Sequence, residues 1–411
     1  MTAIEKSFTY GETSVNDIEV VTTIDPKGKP HVSSVIIQGE EFIPSPRFWI
    51  SLFSRFGFNK SFFKYFTYSE VFERISEVRS SENLRFCVER TEHLGEEDVN
   101  RLLAVSNPSK PIVSHQDLMG LLEANGCLEG VRYFNGIIDS NHTPRSGSRS
   151  CQIAGDGFLN KFMISTPIDG FGAPTVALSL LRDACKNGVI AASPAFRSKV
   201  QLGKSDDNTE FALLRVLDQF NNEEGYSELR QRIDSSATSW ASVYETSQLY
   251  KLLLRLHLGK DDFGLPIIGC DGEALASGTS PYVRKLIKKS NNHSATVSDD
   301  IEHSSVIQCF HEMTGDTSKI YGLANIDTMS AKRQRTMPVN ATVYDLFNFA
   351  TELSTHHTTP EASRLLESYV GDLICREYDM EGTKNNYSDF ADFHLEAKNA
   401  NQLTGSQYTQ D

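Results

Sequence analysis

The sequence predicts an α+β protein, with an antiparallel sheet and packed helices in the N-terminal half and a mainly helical C-terminal half. Three observations carry this. Short β-branched and aromatic runs separated by turn residues fill residues 18–204. Capped stretches of helical period interrupt them. From about residue 205 the hydrophobic period is mainly helical.

The first element signal is "IEVVTTI", "DPKGKP", "HVSSVIIQG", two β-branched runs around a turn with Pro26 and Gly28. "SPRFWISLFSRFG" then reads as a helix, with Ser45 as N-cap, Pro46 at the first helical position and Gly57 as the stop. "SEVFERISEV" is a further helix, and "LRFCVER" and "RLLAVSN" are strands. "SHQDLMGLLEANG" is a helix started by Ser114 and Asp117 and stopped by Gly126. "GVRYFNGIID", "CQIAGDG", "KFMISTPID" and "TVALSLLRDAC" read as strands between turns, with a polar loop over 141–150. "TEFALLRVLDQF", "YSELRQRID", "SWASVYETSQLYKLLLRLHLG" and "SPYVRKLIKKS" have helical period. Thr342 and Asp345 make a T-x-x-D start for "TVYDLFNFATELSTHH", and Thr359 with Pro360 starts the last helix. The resulting division is an α+β domain (18–204), a helical region (205–290), a flexible connection (291–305), a C-terminal helical region packing back on the sheet (306–384) and an acidic polar tail (385–411).

Composition bounds the class. With 411 residues, 39% apolar and 23% charged, the chain is long enough for a sizeable core. The net charge of −14 favours solubility and disfavours indiscriminate binding to nucleic acid or anionic lipid, while leaving room for a local basic groove. The first seventeen residues contain no apolar signal-peptide core, and no apolar run reaches the ~18 residues of a membrane span. The seven cysteines are scattered and form no CxxC pair, which predicts free thiols in a reducing cytoplasm. No P-loop, Rossmann fingerprint, HExxH, GxSxG or kinase signature occurs. No cofactor or metal is expected.

Two regions carry candidate chemistry. The late helix places Asn348, Glu352 and His356 on one ridge at four-residue spacing. Glu352 with His356 is a candidate acid/base pair, and also the makings of a buried hydrogen-bond ladder. His357 points about 100° away from His356 and cannot easily share an ion with it. The second region is basic and aromatic: Arg47, Arg55, Lys60 and Lys64 interleave with Phe56, Phe58, Phe62, Phe63, Tyr65 and Phe66. It suits single-stranded nucleic acid, with cations on phosphates and rings on bases, and equally an amphipathic helix with core Phe. Arg197 and Lys199 add a basic cluster in "RSKVQLGK". Cys185 is a core thiol or a nucleophile without a visible activating neighbour, and the glycines of "AGDGFLN" and "DGFGAP" read as tight turns.

"STPIDGFGAPTVALSLLRDACKNGVIA" followed by "ATVYDLFNFATELSTHH" resembles a family of phage, prophage and plasmid proteins known as domain of unknown function 932. The matching positions are Asp169 and Gly170, then Arg182, Cys185, Asn187 and Gly188, then Thr342, Asn348, Ala350, Thr351, Glu352 and His356. The Ser that usually follows the Asp-Gly pair is Phe171 here. The resemblance spans roughly residues 20–380 and implies a mobile-element context alongside replication and recombination genes. Three functions follow as expectations: a non-enzymatic nucleic-acid factor that binds or anneals single strands and self-associates, a structural or host-interaction protein, and a hydrolase or nucleotide-modifying enzyme using Glu352 and His356. The enzyme reading expects the late helix to pack against the strands carrying Asp169 and Arg182.

Overall fold

The computed structural model describes residues 5–24, 28, 30–58, 62–63, 65–79, 82–92, 99–128, 130–153, 155–182, 188–190, 197–201, 204–258, 334–335, 338–356, 358 and 360–374. Among these it is an α+β structure with two large sheets, a two-stranded ribbon and eight α-helices. No described helix is long and apolar enough to cross a membrane. The expected connection at 291–305, the basic "SPYVRKLIKKS" stretch and the tail lie outside the described residues, as do Lys60, Lys64, Cys185 and Asn187.

The first sheet has the order β1-β5-β6-β4-β3-β2, from β1 (Glu5–Ser14), β2 (Ile18–Ile24), β3 (Pro30–Ile37), β4 (Glu40–Pro44), β5 (Asn83–Glu92) and β6 (Val99–Ser106). It is mixed, which corrects the antiparallel expectation. The chain leaves β4 through helices α1 (Pro46–Phe56) and α2 (Tyr68–Arg79) before β5, and so β4 meets β6 in parallel, with Ile43 beside Arg101. The leading strand β1 is absent from the sequence reading because only Phe8 and Tyr10 mark it as apolar. It nonetheless pairs with β5 along its whole length, from Glu5–Glu92 to Ser14–Asn83.

Alternation in β5 gives this sheet two different faces. Leu84, Phe86 and Val88 join Val35, Ile37, Phe42, Leu102 and Val105 in an apolar core, capped by Phe48 and Leu52 of α1 and by Val71, Phe72 and Ile75 of α2. Cys87, Glu89 and Thr91 point to the opposite face, which is also buried. Helix α1 is fixed to β6 by two side-chain hydrogen bonds. Ser45 caps it by accepting from Phe48 N at 3.0 Å and donates to the Leu103 carbonyl at 2.8 Å. Val105 N donates to Ser51 Oγ at 2.9 Å. Gly57, at φ 72°, ends the helix in the left-handed region.

The second sheet is antiparallel, of order β12-β11-β10-β8-β7, with β9 paired to β10 and β13 to β11. Its strands are β7 (Arg132–Phe134), β8 (Ile137–His142), β9 (Ser150–Ile153), β10 (Asp156–Pro167), β11 (Thr175–Arg182), β12 (Gly188–Ile190) and β13 (Arg197–Lys199). "GVRYFNGIID" is a hairpin: Asn135 (φ 40°) and Gly136 (φ 79°) make the two-residue Asn-Gly turn between β7 and β8. The remaining helices are α3 (His115–Ala124), α4 (Asp206–Gln219), α5 (Glu223–Ser236), α6 (Val243–Leu258), α7 (Val343–His356) and α8 (Pro360–Asp372). A ribbon of β14 (Trp240–Ser242) and β15 (Pro338–Thr342) leads into α6 and α7.

The chain divides into two compact units. The first comprises Met1–His142, Ile164–Val176 and Lys199–Phe220; the second comprises Thr143–Met163, Ala177–Ser198 and Asn221–Asp411. In the second unit α7 and α8 pack on each other and on β12.

Gly11 lies opposite Phe86, and a Cβ there would stand within van der Waals overlap of the Phe86 ring. Gly11→Ala should therefore destabilise the first unit by about 1–3 kcal/mol through overpacking, read as a lower midpoint in chemical denaturation; an unchanged midpoint would show that the β1–β5 register is wrong.

Candidate functional site

The buried polar face of the first sheet carries one cluster. Arg47, on the first turn of α1, forms a two-pronged ion pair with Asp169: Nε bonds Oδ2 and Nη2 bonds Oδ1 at 3.1 Å. Arg47 Nη2 also donates to the Phe171 carbonyl, and the Phe171 ring lies 5.1 Å from the guanidinium. Phe171 N in turn donates to Asp169 Oδ1 at 3.0 Å. Phe171 therefore acts on this pair through its main chain and its ring.

Two glycines let the chain close on this carboxylate. A Cβ at Gly136, in the Asn-Gly turn, would come within 2.7 Å of Asp169 Oδ2. A Cβ at Gly170 (φ 77°) would come within 2.7 Å of Ser106 Oγ, a buried hydroxyl without a hydrogen-bond partner among the described residues. The expected tight turn at "DG" is thus observed, with a close approach as a second reason for the glycine. Burial raises the Asp169 carboxyl above the usual aspartate range, and the Arg47 guanidinium pulls it back down.

Beside this pair the same face holds Lys6, Glu89 and Tyr133. Lys6 Nζ lies 2.6 Å from Glu89 Oε1, Tyr133 OH donates to Glu89 Oε2, and Gly136 N donates to Tyr133 OH at 3.0 Å. Tyr10 OH donates to the Ile168 carbonyl at 2.8 Å. Burial raises the Tyr10, Tyr133 and Cys87 groups, so all three stay protonated at neutral pH. Cys87 is thus an inert interior thiol, as expected for the scattered cysteines.

The second unit carries a separate cluster, which contains the late-helix ridge. Arg182, at the end of β11, pairs with Asp156 at 2.5 Å and reaches Asn348 Oδ1 at 3.4 Å. Tyr344 OH donates to Asp156 Oδ2 at 2.7 Å, and its ring stacks on Phe347 at 5.5 Å. The ridge therefore extends one turn further than the sequence reading took it, through Tyr344, Asn348 and Glu352. Glu352 is buried, and the His356 side chain lies outside the described atoms. Burial and the bond to Asp156 both hold Tyr344 protonated. The Thr342–Asp345 start is present, with Thr342 N donating to Asp345 Oδ2 at 2.8 Å and Asp345 N to Thr342 Oγ1 at 3.0 Å.

Of the matched constellation, Arg182 and Asn348 come together in the second unit, and Gly188 opens β12 beside Leu181. Asp169 and Gly170 lie in the first unit, where the partner of Asp169 is Arg47. Among the cationic candidates, Arg55 pairs with Glu82, and Arg197 and Lys199 are exposed on β13. Sequence reading missed Glu89, Tyr133, Asp156 and Tyr344. For Tyr344 the signal was present, four residues before Asn348; for the others, nothing local in the sequence distinguishes them from surface residues.

Comparison with protein-family models, with curated proteins and with solved structures returned no match.

Arg47→Ala should cost roughly 3–5 kcal/mol, because it leaves the Asp169 charge buried and unpaired, and Asp169→Asn in that background should restore part of the loss. The pH dependence follows. The folded chain binds the Asp169 proton more tightly than the unfolded chain, so stability falls as pH rises from the unfolded value through the raised folded value. Without Arg47 the folded value rises further, and the variant regains more stability on acidification than the parent. Urea unfolding across acidic pH measures this; parallel pH curves would contradict it. Tyr344→Phe should cost about 1 kcal/mol in the second unit, measured the same way.

Proposed function

We propose that this protein is a non-enzymatic nucleic-acid transaction factor of the mobile-element type, binding and annealing single strands in the cytoplasm. The observation that supports this reading best is the exposure of three aromatic rings on one short segment: Phe62 at 44%, Tyr65 at 82% and Phe66 at 52%. The segment begins where α1 ends at Gly57, and Lys60 and Lys64 belong to it by sequence. Its inner rings are held. Phe58 and Phe63 pack on Phe53 at 4.9 and 5.8 Å, and Phe63 stacks on Tyr68 at 4.1 Å. Inner rings fixed in the core and outer rings in water make a stacking platform, which suits bases of any sequence. Cations alongside would neutralise phosphates.

The resemblance to the phage and plasmid family supports the same reading, and the net charge of −14 confines binding to such local surfaces. Annealing brings two strand sites together, so the reading includes self-association. Burial of Glu352 favours the structural ladder over an acid/base pair on the late helix.

Tyr65→Ala and Phe66→Ala should each weaken oligo(dT) binding by about 1–3 kcal/mol at low salt, and leave the unfolding midpoint unchanged because both rings are exposed. Fluorescence anisotropy with labelled oligo(dT) measures this; absence of binding by the parent protein at low salt would sink the proposal.

A further inference from the structure

The first sheet ends in two strands of different character. At one edge β1 carries Glu5, Lys6 and Glu12, charges of the kind that discourage further pairing. At the other edge β2 reads "IEVVTTI", in which every residue but Glu19 is β-branched or apolar and Glu19 is the one charge. Among the described strands only β3 pairs with β2.

The direction of its main-chain groups is set by β3. Pairing runs from Ile18–Ile37 to Ile24–Pro30, and the extra residue at the bulge, Ser33, belongs to β3, so β2 itself runs unbroken. Ser33 Oγ donates to the Val21 carbonyl at 3.2 Å, which places the Val21 main-chain groups on the β3 side. Alternation then turns those of Val20, Thr22 and Ile24 to the open side. Pro30 agrees with this: it lies opposite Ile24 and has no N–H to give. The side chains alternate as well. Ile18 is buried in the apolar core and Val20 packs against it, so Thr22 and Ile24 lie on that same face. Ile24 is nonetheless 76% exposed, past the end of its own core.

We propose that β2 is the interface between two copies of this chain, paired antiparallel about a two-fold axis at Val21. That register is self-complementary. Val20 meets the partner's Thr22, and because both turn their main-chain groups outward they exchange N–H···O=C bonds. Ile24 meets the partner's Ile18 on the core face, where its exposed side chain gains an apolar neighbour. On the other face Glu19 meets the partner's Thr23 and Val21 meets the partner's Val21, so no like charges oppose. The first sheets of the two copies become one continuous sheet. For its role this rests on the nucleic-acid reading above, whose self-association it gives a site.

Analytical ultracentrifugation of the full chain, without nucleic acid, tests the interface. The parent should sediment as a dimer of 45.9 kDa subunits. Ile24→Lys, at an exposed position, should raise the dimer dissociation constant by about tenfold or more, since each copy loses an apolar contact. Thr22→Pro, which removes an outward N–H, should act in the same direction. Ile24→Lys should keep the circular dichroism of the parent, and it decides the matter if Thr22→Pro folds poorly. The register has its own readout. Val21→Cys puts two thiols together at the axis and should give a covalent dimer with diamide, where the parent and Glu19→Cys do not. A monomeric parent, a dimer that Ile24→Lys leaves intact, or equal crosslinking of Val21→Cys and Glu19→Cys would overturn the interface. A monomeric parent that binds oligo(dT) would overturn the interface and leave the aromatic platform standing. A dimer with this register that binds no oligo(dT) would overturn the nucleic-acid reading and leave the interface.

Discussion

The ion pair between Arg47 and Asp169 is the constraint around which the first unit is arranged. It joins the start of α1 to the turn after β10, across 122 residues of sequence. Neither charge could be buried alone, because the desolvation of each is repaid only by the other and by the hydrogen bonds around them. The chain is shaped to allow it: glycine at 136 and at 170, where any side chain would strike the carboxylate or Ser106, and the Phe171 carbonyl turned toward the guanidinium. Arg47 sits on the first turn of α1, the helix that the aromatic segment follows at Gly57.

The second unit uses the same kind of interaction more openly. Arg182 and Asp156 retain some solvent access, and Tyr344 and Asn348 complete their hydrogen bonds from one face of α7. Two turns of that helix thereby become a polar seam to β10 and β11 instead of an apolar stripe. The ridge that looks like an active-site face in the sequence works, where its atoms are described, as a seam between helix and strands.

The secondary structure was largely legible in the sequence. Ser45, Ser114 and the Thr342–Asp345 pair mark helix starts by local chemistry, and each start is where the cap residue puts it. What failed depends on distant residues. Strand β1 carries too few apolar side chains to announce itself, since half of its residues face a polar interior built from β5, β7 and the turn at Asp169. The parallel β4–β6 contact depends on the crossover and not on either strand. Arg47 reads as one of a row of surface cations because the sequence does not say that a buried carboxylate lies 122 positions away.

The central functional claim is that single strands meet this protein at an aromatic platform. Ultraviolet crosslinking of the full chain to oligo(dT), with the adducts mapped by mass spectrometry, tests it most directly. The account predicts adducts on the segment containing Phe62, Tyr65 and Phe66. Efficient crosslinking confined to peptides that lack this segment would contradict it.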